Sequence, residues 1–270
     1  MSAPARIDVL IPTRGRACAL AVTLATLAGQ TWRDMRIIIS DQSDGAGPFA
    51  GGEIQALLRY LRVSGIDVLA LRNLPRRGMA EQRAFLLAQV EAPYCLFLDD
   101  DVITEPTLLG RLFQAIQEQG CGFVGSALHG LSYANDRRAH QQNIELWEGA
   151  VTPETILPDS PAWSRHHLHS AANLFHVQQS LDLGYAQSRL YRVAWVGGCV
   201  LYDTAKLREV GGFDFWRDLP DEHCGEDVAA QMKLMARHGG CGIIPSGAYH
   251  LELPTTLPSR EVDAPRVLFQ

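Results

Sequence analysis

The sequence predicts an α/β fold, a mostly parallel central sheet flanked by helices. Two observations carry this. Strand-like and helix-like patterns alternate over the first hundred residues in the order β-α-β-α-β-α-β, and parallel strands need crossover helices that cover both faces of a sheet. The strand segments are also short, continuous apolar runs, the pattern of strands buried on both sides.

Ile7-Asp8-Val9-Leu10-Ile11 opens as a strand, and Pro12 ends it and sets a turn. From Ala17 to Gly29, Leu20, Leu24 and Leu27 fall on one helical face, with Gly29 placed to stop the helix. Arg36 to Ser40 is a β-branched apolar strand, and a polar Gly-rich loop follows from Asp41 to Gly52. Glu53 to Val63 reads as a helix with Ile54, Leu57, Leu58 and Leu61 inward. Ile66 to Leu71 is the third strand, Met79 to Val90 the third helix and Tyr94 to Leu98 the fourth strand. Right-handed crossovers put the loops after Ile11, Ser40 and Leu98 on one edge of the sheet. Pro12-Thr13-Arg14, Asp41 and the aspartates after Leu98 therefore converge on one crevice.

After Asp101 the rhythm changes. Pro106 stands in the first turn of a helix through Gln119, and Cys121 to Gly125 reads as a strand. Residues 135–190 are irregular, with prolines at 153, 158 and 161 and a Trp163-Ser164-Arg165-His166-His167 cluster. Such a segment in a compact enzyme reads as a substrate lid or binding loop. Val193 to Tyr202 follows as a strand interrupted by Gly197-Gly198, then a short helix from Thr204 to Val210 stopped by Gly211-Gly212. Asp227 to His238 is a helix with Val228, Met232 and Met235 on one side, and Cys241 to Ile244 is a last strand leading toward His250. Neither internal repeats nor low-complexity blocks occur.

At 270 residues, with 47% apolar and 20% charged residues, the chain has an ordinary globular composition. A net charge of −6 argues against general nucleic-acid binding. Met1 to Arg6 lacks the pattern of a signal peptide, and no apolar run approaches bilayer length. The six cysteines contain no C-x-x-C pair, so a disulfide framework or zinc site is not expected and a cytoplasmic protein with reduced thiols is the simplest reading. The closing Val267-Leu268-Phe269-Gln270 reads as either a native tail or a tag remnant, and carries no functional weight.

Chemistry concentrates at Leu98-Asp99-Asp100-Asp101. Three adjacent carboxylates repel one another at the end of a buried strand. A divalent cation bridging to phosphate oxygens would relieve that repulsion, because hard oxygen ligands suit Mg²⁺ and Mn²⁺. A solvated acidic turn or helix cap is the alternative. Glu226-Asp227 opens a helix, where acidic residues suit the dipole, and simple capping is again the alternative. The preceding polar segment, Pro220 to Gly225, reads as mobile, and Gly197-Gly198 lets a strand approach a ligand closely. A carboxylate beside a sugar hydroxyl is the group that general-base catalysis needs. His250 follows a strand and is a candidate nitrogen ligand for the same metal; a surface role is its alternative. Arg76-Arg77 before Gly78 would neutralise phosphate or contact a base, unless it is only a solvated loop. The His166, His167 and His169 cluster lacks matching cysteine ligands for zinc; it reads as an acceptor-contacting loop or plain surface.

Taken in order, four segments resemble family 2 glycosyltransferases of the GT-A fold, from Asp8 to His250. Ile11-Pro12-Thr13-Arg14-Gly15-Arg16 resembles the opening strand-turn that touches the donor nucleotide. Ile37-Ile38-Ile39-Ser40-Asp41-Gln42-Ser43 resembles the segment whose aspartate binds the base, and Leu96-Phe97-Leu98-Asp99-Asp100-Asp101 the metal-binding D-x-D segment. The fourth runs from Val196-Gly197-Gly198 through Gly211-Gly212-Phe213-Asp214 to Gly225-Glu226-Asp227, resembling the acceptor-side block that ends in the catalytic acidic pair. Gln42 and Ala84 depart from the family pattern, where a second acidic residue and an asparagine are common.

The resemblance implies a Rossmann-like GT-A domain with a smaller acceptor-side region. Residues 1–101 would form its nucleotide-sugar half, 102–250 the metal, acceptor and catalytic half, and 251–270 a tail. It implies an inverting hexosyl- or deoxyhexosyltransferase using a UDP-, GDP- or dTDP-linked donor with Mn²⁺ or Mg²⁺. Asp227 would be the general base with Glu226 beside it. Pro12, Thr13, Arg14, Asp41, Arg77, Arg83, Asp99 and Asp100 would contact the donor, and Asp101, Asp99 and His250 the metal. The acceptor is a small molecule, a glycan or a lipid-linked intermediate, the last needing peripheral membrane contact. Two rival readings remain at this stage: a sugar-nucleotide nucleotidyltransferase, and a non-catalytic GT-A-like binding domain.

Overall fold

The computed structural model describes residues 7–181, 183, 188–256 and 259–269; Met1 to Arg6 and Gln270 lie outside them. Strand β1 (Ile7–Thr13) is buried at every residue. Beside it run β2 (Met35–Asp41) and β4 (Tyr94–Leu98), both parallel to it, and β3 (Asp67–Arg72) continues parallel beyond β2. Helices α1 (Ala17–Ala28), α2 (Gly52–Val63) and α3 (Met79–Ala88) supply the crossovers. This half follows the sequence expectation.

Successive side chains of a strand point to opposite faces, and the core divides accordingly. Ile7, Val9, Ile11, Ile37 and Ile39 pack with Leu20, Leu24 and Leu27 of α1, whereas Leu10, Ile38 and Phe97 pack with Leu86 of α3. Asp8 is the one charge inside β1 and is fully buried. Its cross-strand neighbour Arg36 reaches it bidentately at 2.9 and 2.7 Å, and the Glu91 and Ala92 amides donate to it as well. Burial raises the Asp8 pKa, but these bonds outweigh it and hold the carboxyl below its ordinary value.

The second half adds β5 (Val102–Thr104), α4 (Leu108–Gln119), β6 (Phe123–Gly125), α5 (Asn173–Ser180), β7 (Arg189–Tyr191), β8 (Cys199–Asp203), α6 (Thr204–Glu209), α7 (Glu226–His238), β9 (Gly240–Ile244), β10 (Ala248–His250) and α8 (Ala264–Leu268). The main sheet has the order β3-β2-β1-β4-β8-β6-β9-β7. Strand β8 is antiparallel to both β4 and β6, and β7 is antiparallel to β9. Residues 193–198 are not strand, which corrects the expected Val193–Tyr202 element. The Gln231 side chain of α7 takes both backbone groups of Val196, each at 2.8 Å, so no neighbouring strand can pair there. Gly198 also has φ +80°, outside the β region.

Pro106 stands before α4, not in its first turn; its carbonyl accepts from the Thr31 amide at 2.8 Å. The described residues between 135 and 190 are packed into the fold and do not form an open loop. They contain α5 and a nine-residue 3₁₀ run, Pro161–His169, and they bury Leu168, Leu174 and Val177. The tail from Glu261 to Phe269 also belongs to the fold: α8 packs near α7, and Cys224 bonds through its backbone to Val262 and Ala264. All six cysteines are free thiols. Among the described residues, no helix is long and apolar enough to cross a membrane.

Candidate active site

The aspartate run is pinned residue by residue at the carboxyl end of β4. The Asp99 amide donates to Gly198 O at 2.9 Å, Asp100 O accepts from Thr23 Oγ1 at 2.9 Å, and Asp101 O accepts from the Leu251 amide at 2.8 Å. Gly198 must be glycine for this approach: a Cβ there would lie 2.3 Å from Leu128 Cδ1, on a backbone with positive φ. The β5–β10 ribbon pairs His250 with Val102 and so sets the imidazole beside Asp101.

A cleft of about 760 Å³ opens over the run, within the usual size of ligand pockets. Asp99, Asp100, Asp101, Glu226 and Asp227 all line it. Two arginines reach down among them. Arg16 bonds Asp101 Oδ2 at 2.7 Å and Asp100 Oδ1 at 3.4 Å, and it also donates to the Pro254 carbonyl. Arg83, on α3, bonds Glu226 Oε1 at 2.8 Å and Asp99 Oδ1 at 3.4 Å. The carboxylates still outnumber the guanidiniums, and that surplus shows in their titration. Burial pushes Asp100 up to about 6, against the hydrogen bond from Thr13 Oγ1 at 2.6 Å. Burial and then the Glu226 carboxylate push Asp227 up to about 7, with Arg83 opposing. Asp101 goes the other way: although burial raises it, bonding to His250 and charge from Arg16 hold it below its ordinary value. His250 is raised in turn by donating to Asp101 at 3.4 Å.

Glu226 and Asp227 open α7, and the loop before them is fixed. His223 is buried, its Nδ1 lies 2.7 Å from Pro220 O and its Nε2 accepts the Ala80 amide at the start of α3. Pro220 to Gly225 is therefore anchored between α3 and the tail, not mobile as its polarity implied. At Asp227, Oδ1 accepts from the Val228 amide at 2.9 Å, and a Cβ on Gly197 would stand 3.9 Å from Oδ2.

A family model for glycosyl transferase family 2 matches residues 8–180, which include the aspartate run and the β1 and α3 side of the cleft but not Trp195, Glu226, Asp227 or His250. The chain belongs to glycosyl transferase family 2. Solved structures agree on a GT-A fold. A mannosyltransferase from Pyrobaculum calidifontis, PcManGT in complex with GDP-Man and Mn²⁺, superposes with TM-score 0.54 at 13% identity, covering 89% of this chain and 57% of that one. S. aureus TarS 1-349 in complex with UDP-GlcNAc gives 0.56 at 14% identity, covering 93% and 60%. At such identities the likeness is one of fold, and the chain spans 57% and 60% of those structures' length. No curated protein matches the sequence.

Of the residues this family 2 chain was expected to use, the cleft gathers Pro12, Thr13, Arg14, Arg83, Asp99, Asp100, Asp101, Glu226, Asp227 and His250. Arg77 is exposed and away from it; its neighbour Arg76 lines it instead. Asp41 is fully buried, accepting from the Ser43 amide at 2.8 Å with Arg72 Nε at 3.5 Å, and Gln42 is the side chain that reaches the cleft. Asp99 faces Arg83, whereas Asp101 faces His250. Among the described residues no three His, Cys, Asp or Glu side chains form a ready metal cage. The Asp101 oxygen and the His250 nitrogen nevertheless converge, and the oxygen already attracts a cation in Arg16. An oxygen and a nitrogen together are a donor pair that fits a divalent ion. An imidazole nitrogen favours Mn²⁺ over Mg²⁺, which is held chiefly by oxygen.

Arg16, read above only as part of the donor-side segment, takes a role of its own, and two further residues were missed in the sequence. Arg16 was visible as a cation in the loop after β1, on the same sheet edge as the aspartates. Gln82, buried under the cleft, donates to Ser40 O at 2.7 Å, and nothing in its pattern marks it. Trp195 lines the cleft from what read as a strand interior.

Proposed function

We propose that this protein transfers a sugar from a nucleoside-diphosphate donor to an acceptor hydroxyl with inversion, and that Asp227 is the general base. One observation carries the reading. A carboxyl raised to about 7 stands at the start of α7 and lines the cleft, with its Oδ1 taken by the Val228 amide. A base whose pKa lies near the working pH combines availability with proton affinity.

The acceptor hydroxyl approaches Asp227 Oδ2, because Oδ1 is engaged by the Val228 amide. As the acceptor oxygen bonds to the anomeric carbon, its proton passes to Asp227, the anomeric C–O bond breaks and the nucleoside diphosphate leaves. A single displacement of this kind inverts the anomeric centre. Arg83 ties Glu226 and Asp99 to one guanidinium, so the base and the donor-contacting aspartate hold a fixed relation. Arg16, Arg14 and Arg76 offer positive charge for the diphosphate at the cleft rim. Asp101 and His250 would hold Mn²⁺ or Mg²⁺, which when bound supplies Lewis-acid stabilisation of the leaving diphosphate.

The test is Asp227→Asn, with turnover of a UDP- or GDP-sugar panel and donor binding measured side by side. Turnover should fall about 10²–10⁴-fold, the scale of general-base loss, while donor affinity holds. A variant that keeps its turnover would remove Asp227 from this role.

A further inference from the structure

Trp195 lines the cleft with Asp227 and Asp99, yet no step above uses it. Its position is set by the same helix that sets the base. Gln231, one turn after Asp227 on α7, holds both backbone groups of Val196 at 2.8 Å. Base and indole therefore share one rigid mount.

The ring is also backed. His166 stacks on it at 4.7 Å and 13°, and Trp163 meets it at 4.4 Å and 49°. Their own centroids are 6.3 Å apart, so the two rings support the indole from directions about at right angles, and the half-buried indole still lines the cleft. The support is itself anchored. His166 Nδ1 lies 2.7 Å from Trp163 O, and Arg165 is held by Glu145 at 2.9 Å and Glu154 at 2.8 Å.

A rigid aromatic face beside a base binds a flat apolar surface. The nucleobase is not the candidate, because the donor reading assigns it to the segments after β1 and β2, whereas α7 packs against β6 and β9, farther along the sheet. Anionic acceptors are disfavoured by Glu226 and Asp227. A pyranose ring presents an apolar C–H face together with hydroxyls at its edge, which suits stacking on the indole while one hydroxyl meets Asp227. Resting on the transferase reading above, we infer that Trp195, backed by His166 and Trp163, is the acceptor platform and that the acceptor is an uncharged pyranose.

The test uses the full chain and methyl pyranosides of glucose, galactose, mannose and N-acetylglucosamine. Binding is followed by saturation-transfer NMR and tryptophan fluorescence, with and without UDP or GDP plus Mn²⁺. At least one pyranoside should bind wild type, with saturation concentrated on the C–H protons of one ring face. Trp195→Leu should weaken it about 10-fold, and Trp195→Phe much less, since it keeps a π face. Nucleoside diphosphate binding should be unchanged in both variants. Equal pyranoside affinity in wild type and Trp195→Leu, or no pyranoside bound in either arm, overturns the inference. Loss of nucleotide binding by wild type would instead strike the donor reading, and the pyranoside arm without nucleotide separates the two. If Trp195→Leu loses its cooperative melt, the Trp195→Phe comparison stands: a 10-fold loss there also overturns the platform.

Discussion

Replacing Arg83 by methionine should destabilise the protein strongly, and by an amount that depends on pH. Arg83 and Glu226 are only 6% and 4% exposed and meet at 2.8 Å. At an effective dielectric constant of about 20 that contact is an attraction of about 6 kcal/mol. Desolvating both ions costs several kcal/mol each, so the intact pair is close to neutral for stability. Breaking it is different. Methionine keeps much of the volume over the Phe97 ring, where the guanidinium sits 5.4 Å from the centroid, but leaves Glu226 buried beside Asp227 with no counter-charge. The expected loss is about 3–5 kcal/mol. Arg83 opposes the upward shifts of Asp227 and Asp99, so without it those two carboxyls titrate further above their unfolded values. The folded state then binds more protons than the unfolded chain, and stability falls as pH rises. Urea denaturation at pH 8 and pH 5.5 should show a larger loss at pH 8. Adding Glu226→Gln should recover most of it, with a coupling of about 2 kcal/mol or more in the double-mutant cycle. A loss under about 1 kcal/mol, an equal loss at both pH values, or no coupling to Glu226 would refute the buried-pair argument.

Asp227→Asn should trade activity for stability. Because the folded-state pKa is raised from 3.8 to about 7, the wild type loses stability as pH rises through that window. The variant does not, so its Tm should exceed that of wild type at pH 8 and converge with it near pH 4; a lower Tm at pH 8 would oppose the assignment. Wild-type turnover should correspondingly decline as pH falls below about 7, where the base is protonated, as a pH profile of kcat/KM would show. Arg16→Ala removes the cation now on Asp101 Oδ2, so Mn²⁺ alone should bind the variant more tightly than wild type, read by electron paramagnetic resonance of free Mn²⁺. Weaker binding would mean that Arg16 supports the metal site and does not compete for it.

The parallel half of the fold was legible because β1, β2 and β4 are continuous apolar strands buried on both faces and α1 and α2 carry one-sided apolar stripes. The three-residue strands β5 and β10 were not, since a run that short has no measurable periodicity; they nevertheless place His250 beside Asp101. The apolar run from Val193 onward misled because Trp195 and Val196 serve the cleft and α7 rather than a ladder. The aspartates and the Glu226-Asp227 pair were readable as charges at element ends. Their partition was not: which carboxylate meets Arg16, Arg83 or His250 depends on side-chain directions across the sheet edge. Asp41 shows the same limit, since its backbone is where the pattern put it but its carboxylate serves its own turn.

The most direct test is a calorimetric titration of UDP and GDP into the full chain, with and without Mn²⁺, in wild type and Asp101→Ala. At least one nucleotide should bind wild type in a Mn²⁺-dependent manner and bind Asp101→Ala about 10-fold or more weakly, the scale of losing one ion ligand. Binding of equal strength with and without the metal, unchanged by Asp101→Ala, or no nucleotide binding at all, would show that this cleft is not a metal-assisted nucleotide-sugar site.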